Sequence, residues 1–329
     1  MTIFLATLTP MLTLFICIAA GYVAGKTKII PDNAGKTLAK AETWIFVPAL
    51  SFITMVRYCT VDTFTTHATN ILLSSVGVAF AIGLSLLLTG FFAKKGSNEW
   101  GVYAYALAFA NSGYMGDPVV LSLFGEEVLA YYKLFCLPIT LLIYTWGVCV
   151  LTPKSAQSGS LFKNLLGAPT LSMLLGIAVG LSGLGNYLPS FLTGALDTLK
   201  ACMGPVAMLL AGITIAKYDF VSMLKKKKVY VVTALRLTLL PAATVAVLLG
   251  VKTLARLCFG LSISADPLFL CFFSTAAAIG LNTVVFPEAY GGSPETGAAM
   301  TMVSHTLCVI TIPLLYALMV LLFGAPFGA

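Results

Sequence analysis

The sequence predicts an all-α membrane protein of ten transmembrane helices in two inverted five-helix repeats, and three observations predict it. Hydrophobic residues make up 59% of the chain and charged residues 9%, with a mean hydropathy of +0.98, so lipid is the solvent for most of the surface. Apolar stretches of roughly 20 residues, the length that crosses a bilayer, recur about ten times. The second five stretches repeat the interruptions of the first.

The stretches lie at approximately 3–25, 36–56, 70–93, 100–124 and 128–152, then 164–184, 193–216, 229–255, 266–290 and 296–323. The first is uncharged from Thr2 to Gly25 with no basic segment before it, which suits a span and not a cleaved signal peptide. The second and seventh carry Pro48 and Pro205, each in the second helix of its half. The fourth reads Asn111-Ser-Gly-Tyr-Met-Gly-Asp-Pro118, and the ninth reads Gly280-Leu-Asn-Thr-Val-Val-Phe-Pro287. The fifth and tenth carry Pro138 and Pro313. With five spans per half, the second half enters the membrane from the opposite side, so the repeat is inverted: residues 1–152 form one repeat and 161–325 the other.

Charge orients the chain. With the N-terminus outside, the cytoplasmic connections collect Lys26, Lys28, Lys36, Lys40, Lys94, Lys95, Lys154, Lys163, Lys217 and Lys225 to Lys228, which is 13 of the 19 basic residues. The opposite side holds Arg57, Lys133, Lys200, Lys252 and Arg256. Lysine bias therefore predicts a multi-pass protein of the cell membrane with both termini extracytoplasmic. The lysine run is an orientation signal and not a nucleic-acid site, and the short loops leave no room for a soluble catalytic domain. The eight cysteines lack metal-ligand spacing and read as packing residues, so no metal cluster is expected.

Proline lacks an N–H and clashes with the carbonyl four residues earlier, so Pro118 frees the carbonyl of Tyr114 and Pro287 that of Thr283. In hydrocarbon such groups must face protein, water or a ligand. Gly113, Gly116 and Gly280 let backbone approach closely beside these breaks. Inverted repeats with paired broken helices point to the binding site of a transporter. Half-helix N-termini attract anions, and Asn111 and Asn282 each offer amide donors and an acceptor. A small organic anion such as a carboxylate fits this environment.

The motifs Asn111 to Pro118 followed by Leu-Phe-Gly125, and Gly204-Pro-Val-Ala-Met-Leu-Leu-Ala-Gly212, resemble the auxin efflux carrier family, also described as malate permeases, essentially from end to end. The resemblance implies a fold shared with the bile acid sodium symporters, in which helices 4 and 9 are broken and cross at the substrate site. It implies a scaffold from residues 3–56 and 164–216 and a moving crossover domain from 70–152 and 229–323. It also implies dimerisation through the scaffold, and Asn111 and Asn282 lining a carboxylate site. The proline follows six residues after Asn111 is passed and four after Asn282, so the two halves match unequally. A polar segment from Thr152 to Ser160 stands where plant members carry a long loop, as in compact bacterial members.

Asp117 departs from the family pattern, which has an apolar residue there. An acid at the break takes up a proton, holds a sodium ion with freed carbonyls, pairs with a cation, or lies at a wet helix end. Glu42, His305 and Arg236 lie in or near spans and are candidates for a proton relay or a counter-ion, each against a structural reading. Glu42 can also sit at the interface beside Lys36 and Lys40. Asp266-Pro267 reads as a helix cap, and Glu288 and Glu295 as solvated acids flanking Gly291-Gly292. No enzyme is expected: Gly180-Leu-Ser-Gly183 with His305 is a weak echo of an intramembrane serine protease, and no phosphate-binding loop occurs. The coupling ion, if any, is sodium or a proton, and no other cofactor is implied. A receptor that binds the same ligand without moving it remains the alternative in another class, as does a coupled symporter of a bulkier amphipathic anion.

Overall fold

The computed structural model describes residues 2–31, 33–152, 167–217, 225–261 and 263–327, with the side chains of residues 2–11, 14, 66, 118 and 126 excepted. Nearly all of it is helical. In chain order the helices are α1 (Thr2–Lys26), α2 (Ala34–Ala41), α3 (Val47–Tyr58), α4 (Val61–Thr66), α5 (Ala68–Thr89), α6 (Asn98–Ala108), α7 (Asp117–Phe135), α8 (Leu137–Leu142) and α9 (Val148–Leu151). The second half continues with α10 (Ala168–Leu181), α11 (Ser190–Lys217), α12 (Lys227–Ala234), α13 (Leu240–Phe259), α14 (Asp266–Ala276), α15 (Asn282–Tyr290) and α16 (Pro294–Phe323). Residues 153–160, expected to form the polar connection, lie outside the described residues.

Among the described residues, five continuous helices are long and apolar enough to cross a membrane: Ala34–Tyr58, Ala68–Thr89, Ser190–Lys217, Lys227–Phe259 and Pro294–Phe323. The pair Glu127–Phe135 and Leu137–Leu151, bent by 47°, makes a sixth if counted as one. Helix α1, of 25 residues, is also apolar, and α10 and α14 are shorter apolar helices.

Proline accounts for three of the four wide turns among the described residues; the fourth, Ile143–Gly147, has no proline two residues on. The π-helical turns Glu42–Phe46, Ser112–Gly116 and Leu235–Leu239 each end two residues before a proline, namely Pro48, Pro118 and Pro241. Within each turn the hydrogen bond reaches back five residues, as from the Asp117 N–H to Ser112 O and from the Val47 N–H to Glu42 O. The extra residue per turn moves a carbonyl away from the incoming ring, which a regular helix would force into a clash. Pro205, Pro287 and Pro313 instead sit inside α11, α15 and α16.

Small residues bring helices together where no hydrophobic drive exists between apolar surfaces in lipid. One close pair is α1 with α11, where Gly21 faces Leu209 O and Gly212 faces Ile18 O, so a Cβ at either would lie 2.2 or 2.1 Å from the carbonyl oxygen. On α10, Gly180 lies against the carbonyls of Met55 and Cys59 on and just beyond α3. The resemblance of its neighbourhood to a serine protease motif is therefore accounted for by packing. These contacts tie α1, α3, α10 and α11 into one group. A second group joins α5, α6, α13, α14, α15 and α16. The largest fully buried side chains, among them Tyr105, Phe109, Tyr132, Phe135, Phe269, Phe272 and Phe286, surround the breaks in the second group.

Candidate functional site

Two interrupted helices meet at the centre. Helix α6 ends at Ala108, the chain runs extended through Phe109 to Asn111, and the turn Ser112–Gly116 leads into α7. Likewise α14 ends at Ala276 and α15 begins at Asn282. The two linking segments pair antiparallel at Ala110 and Ile279, the only β-type pairing among the described residues. Asn111 N–H donates to Ala278 O at 2.8 Å and Gly280 N–H donates to Phe109 O at 3.4 Å. Each break thus satisfies backbone groups of the other, which is how unwound chain survives in an apolar interior. The N-termini of the Ser112 turn and of α15 both point at this crossing.

Beside the crossing lies a cleft with about 70 Å³ of free space. Asn111, Gly113, Asp117 and Asn282 line it, with Lys133, Thr140 and Tyr144 from the following helices and Ser51, Thr54, Met173 and Met203 from the opposite group. In this arrangement the cleft is tight, smaller than an open small-molecule site, and its wall mixes apolar side chains with polar groups that can fix a ligand's orientation.

Asn111 is 2% exposed. Its Nδ2 lies 3.1 Å from His305 Nε2, while His305 Nδ1 lies 2.8 Å from Thr301 O. A carbonyl only accepts, so Nδ1 bears the proton of the neutral ring and Nε2 accepts from the Asn111 amide. Asn111 Oδ1 is left buried with no hydrogen-bond partner. Asn282 Nδ2 donates to the Tyr105 hydroxyl at 2.8 Å. Gly280 fits under the Tyr105 ring, with 3.2 Å to a Cβ placed there, and Gly116 fits under the Tyr132 hydroxyl. Tyr132 in turn donates to Ser112 O at 3.2 Å. These two glycines shape the crossing and do not line the cleft. Pro287 abuts Gly292, and the side chain of Pro118 lies outside the described residues.

The acids differ from one another. Asp117 forms an ion pair with Lys133, with side chains 18% and 11% exposed, so among the arrangements open to it the structure has the cation pair. Glu42 is fully buried and not at a wet interface: the Tyr114 hydroxyl donates to its Oε1 at 3.0 Å, while Oε2 has no partner. Glu42 and His305 both lie behind the cleft wall, reaching it through Tyr114 and Asn111. Arg236 is fully buried, and none of its three nitrogens has a hydrogen-bond partner. Glu288 is held by Lys217 at 2.9 Å and by the Thr214 hydroxyl at 3.2 Å, and Glu295 by Lys226 at 2.6 Å; neither is merely solvated. Asp266 is the first residue of α14 and not its cap. Its Oδ1 accepts from the Phe327 N–H at 2.9 Å and its Oδ2 from the Ser264 hydroxyl at 3.1 Å, fastening the C-terminal segment.

Sequence reasoning missed Tyr105, Tyr114 and Lys133. A tyrosine buried in lipid-facing helices needs a partner for its hydroxyl, and two of them within or beside the first break were the available signal.

The family model described as Membrane transport protein matches this chain twice, over residues 6–163 and 159–316. A protein named as an uncharacterized transporter in Methanothermobacter thermautotrophicus is 23% identical over 219 residues, 65% of this chain and 69% of that one. Another so named in Methanocaldococcus jannaschii is 24% identical over 219 residues, 63% of this chain and 68% of its own length.

Proposed function

The chain belongs to the membrane transport protein family, and from that premise we propose that it carries a small organic anion, a carboxylate, across the cell membrane by alternating access. The observation that carries this reading is the paired crossing at Ala110 and Ile279, which brings two half-helix N-termini and the side chains of Asn111 and Asn282 to one cleft. Converging helix N-termini favour negative charge.

In this reading each broken helix, each π-turned helix and each continuous helix counts as one crossing, giving ten spans in two inverted repeats with both termini outside the cytoplasm. The double match of the family model supports the repeat. The group of α1, α3, α10 and α11 is the scaffold, and the group around the crossing is the moving domain. The pairing of Asp117 with Lys133 supports a structural counter-charge at this position over a sodium site, which leaves Glu42 and His305 as the groups for proton coupling. Met173, Met203 and Leu50 in the cleft wall give the bulkier amphipathic anion a specific basis, since methionine adapts to irregular apolar shapes.

Uptake of radiolabelled acetate, lactate, succinate, malate and benzoate into proteoliposomes tests the proposal. Saturable uptake that Asn111→Ala abolishes supports it. Binding without flux would instead identify a receptor, and flux of amines alone would remove the anion assignment.

A further inference from the structure

We propose that Asn111 and His305 form a proton-operated amide switch that turns the cleft from an acceptor site into an anion site, so that one proton enters with each carboxylate. The inference rests on the carboxylate reading above and adds its coupling device.

In the present arrangement the amide faces the wrong way for an anion. Because His305 Nδ1 donates to Thr301 O, Nε2 accepts, and Asn111 must spend its Nδ2 on it. The group left over is Oδ1, a buried acceptor without a partner on a residue that lines the cleft. A carboxylate brought against that oxygen meets oxygen. Protonation of the ring reverses the assignment: Nε2–H now donates, Asn111 rotates its amide to accept with Oδ1, and the two N–H groups of Nδ2 turn toward the cleft. The orphan acceptor gains a donor in the same movement, and the freed N–H groups have a carboxylate to bind.

Charge makes the two events mutually dependent. The buried titratable or charged groups on the elements packed around His305 are Tyr103 and Tyr105 of α6, Arg236 of the Leu235–Leu239 turn, Cys271 of α14, and Cys308 and Tyr316 of α16, with Glu42 and Tyr114 lying beyond Asn111. The carboxylates at the ends of α15 and α16, Glu288 and Glu295, are held by Lys217 and Lys226. No carboxylate hydrogen-bonds to the His305 ring, and Arg236 is already a buried cation on a turn packed against the same helix. A second positive charge is costly there until an anion enters. Each ligand therefore raises the affinity for the other by the same factor, as linkage demands. The proton comes from the aqueous side to which the cleft opens, and no bond other than hydrogen bonds is made or broken.

Calorimetric titration of the full purified chain with acetate, lactate, succinate, malate and benzoate, between about pH 5 and 8 and in two buffers of different ionisation enthalpy, counts the protons. The expected result is uptake approaching about one proton per bound carboxylate, with affinity falling about tenfold per pH unit in the upper part of the range. Neither His305→Gln nor Asn111→Asp should take up this proton, the first lacking a titrating ring and the second holding the ring protonated without amide donors. Carboxylate binding by the wild type without proton uptake overturns the switch and leaves the anion reading standing, and this result needs no variant to fold. Uptake that persists in His305→Gln also overturns it. A folded wild type that binds none of these carboxylates at any pH removes the anion reading, and the switch with it.

Discussion

Gly297→Ala probes the crossing at its closest backbone contact. Pro287 leaves Thr283 O without its usual helical donor, and Gly297 of α16 covers that carbonyl: a Cβ at Gly297 would stand 2.1 Å from the oxygen and 2.7 Å from its carbon. Carbon meets a carbonyl oxygen at roughly 3.3 Å, so α15 and α16 must separate by about 1 Å. Helix propensity alone would favour alanine by ~1 kcal/mol. The clash opposes it with ~1–3 kcal/mol, and because both partners are backbone no rotamer change relieves it. The clash wins, with an expected net loss of up to ~2 kcal/mol. Asn282 adjoins Thr283, so the displacement reaches the site, where a misplacement of ~1 Å costs up to about 100-fold in rate. Thermal unfolding in detergent and uptake in proteoliposomes measure the two effects. Gly83→Ala on α5 is the control, since a Cβ there meets nothing within 4 Å and the residue does not line the cleft. A Gly297→Ala protein with wild-type stability and wild-type uptake refutes the reasoning.

Asn111→Ala removes a hydrogen bond and, at the same time, an orphaned buried oxygen; the two effects, each ~1–3 kcal/mol, nearly cancel in stability. Carboxylate affinity measured by calorimetry should nevertheless fall about 10- to 150-fold, the loss of a hydrogen bond to a charged group; a large drop in unfolding temperature with unchanged affinity would make Asn111 structural. Lys133→Met leaves Asp117 nearly buried and unpaired and should cost about 3–5 kcal/mol, most of it recovered when Asp117→Asn is added; thermal unfolding of the single and double variants checks this. Tyr114→Phe strips Glu42 of its hydrogen-bond donor and should destabilise by ~1.5–3 kcal/mol in the same assay, an effect absent when Glu42 is already Gln only if the pair acts through its charge.

Backbone chemistry made the breaks legible: proline and glycine around Asn111 and Asn282 act within a few residues, and both asparagines line the cleft. The partners of those residues act over long separations and left no local trace. Tyr114 lies 72 residues from Glu42, and Tyr105 lies 177 from Asn282. Glu42 shows the consequence. Beside Lys36 and Lys40 it reads equally well as an interfacial acid, and a donor from a distant helix is what permits its burial. Asp117 was legible as unusual, but its cation lies 16 residues on, beyond the break that Gly125 (φ +81°) puts inside α7, one residue type among several that the sequence offered. The wide turns before Pro48, Pro118 and Pro241 were implicit in the prolines, since a regular helix must widen or kink there.

The contacts between the two helix groups bear on whether they can move. Among the described residues the polar ties between the two groups include the Tyr114–Glu42 hydrogen bond and the hold of Lys217 and Thr214 on Glu288. The first, fully buried, is worth about 1.5–3 kcal/mol. The Lys217 pair is partly exposed and worth about 0–1 kcal/mol after screening by solvent. Breaking both costs a few kcal/mol, the spacing at which a second arrangement stays populated and a ligand can shift the balance. Within each group the fastening is of another kind: backbone against backbone at Gly21, Gly212 and Gly297, which no rotamer change loosens. Sliding between the groups would therefore break fewer fixed contacts than deforming either one, as the proposed movement of the crossing requires.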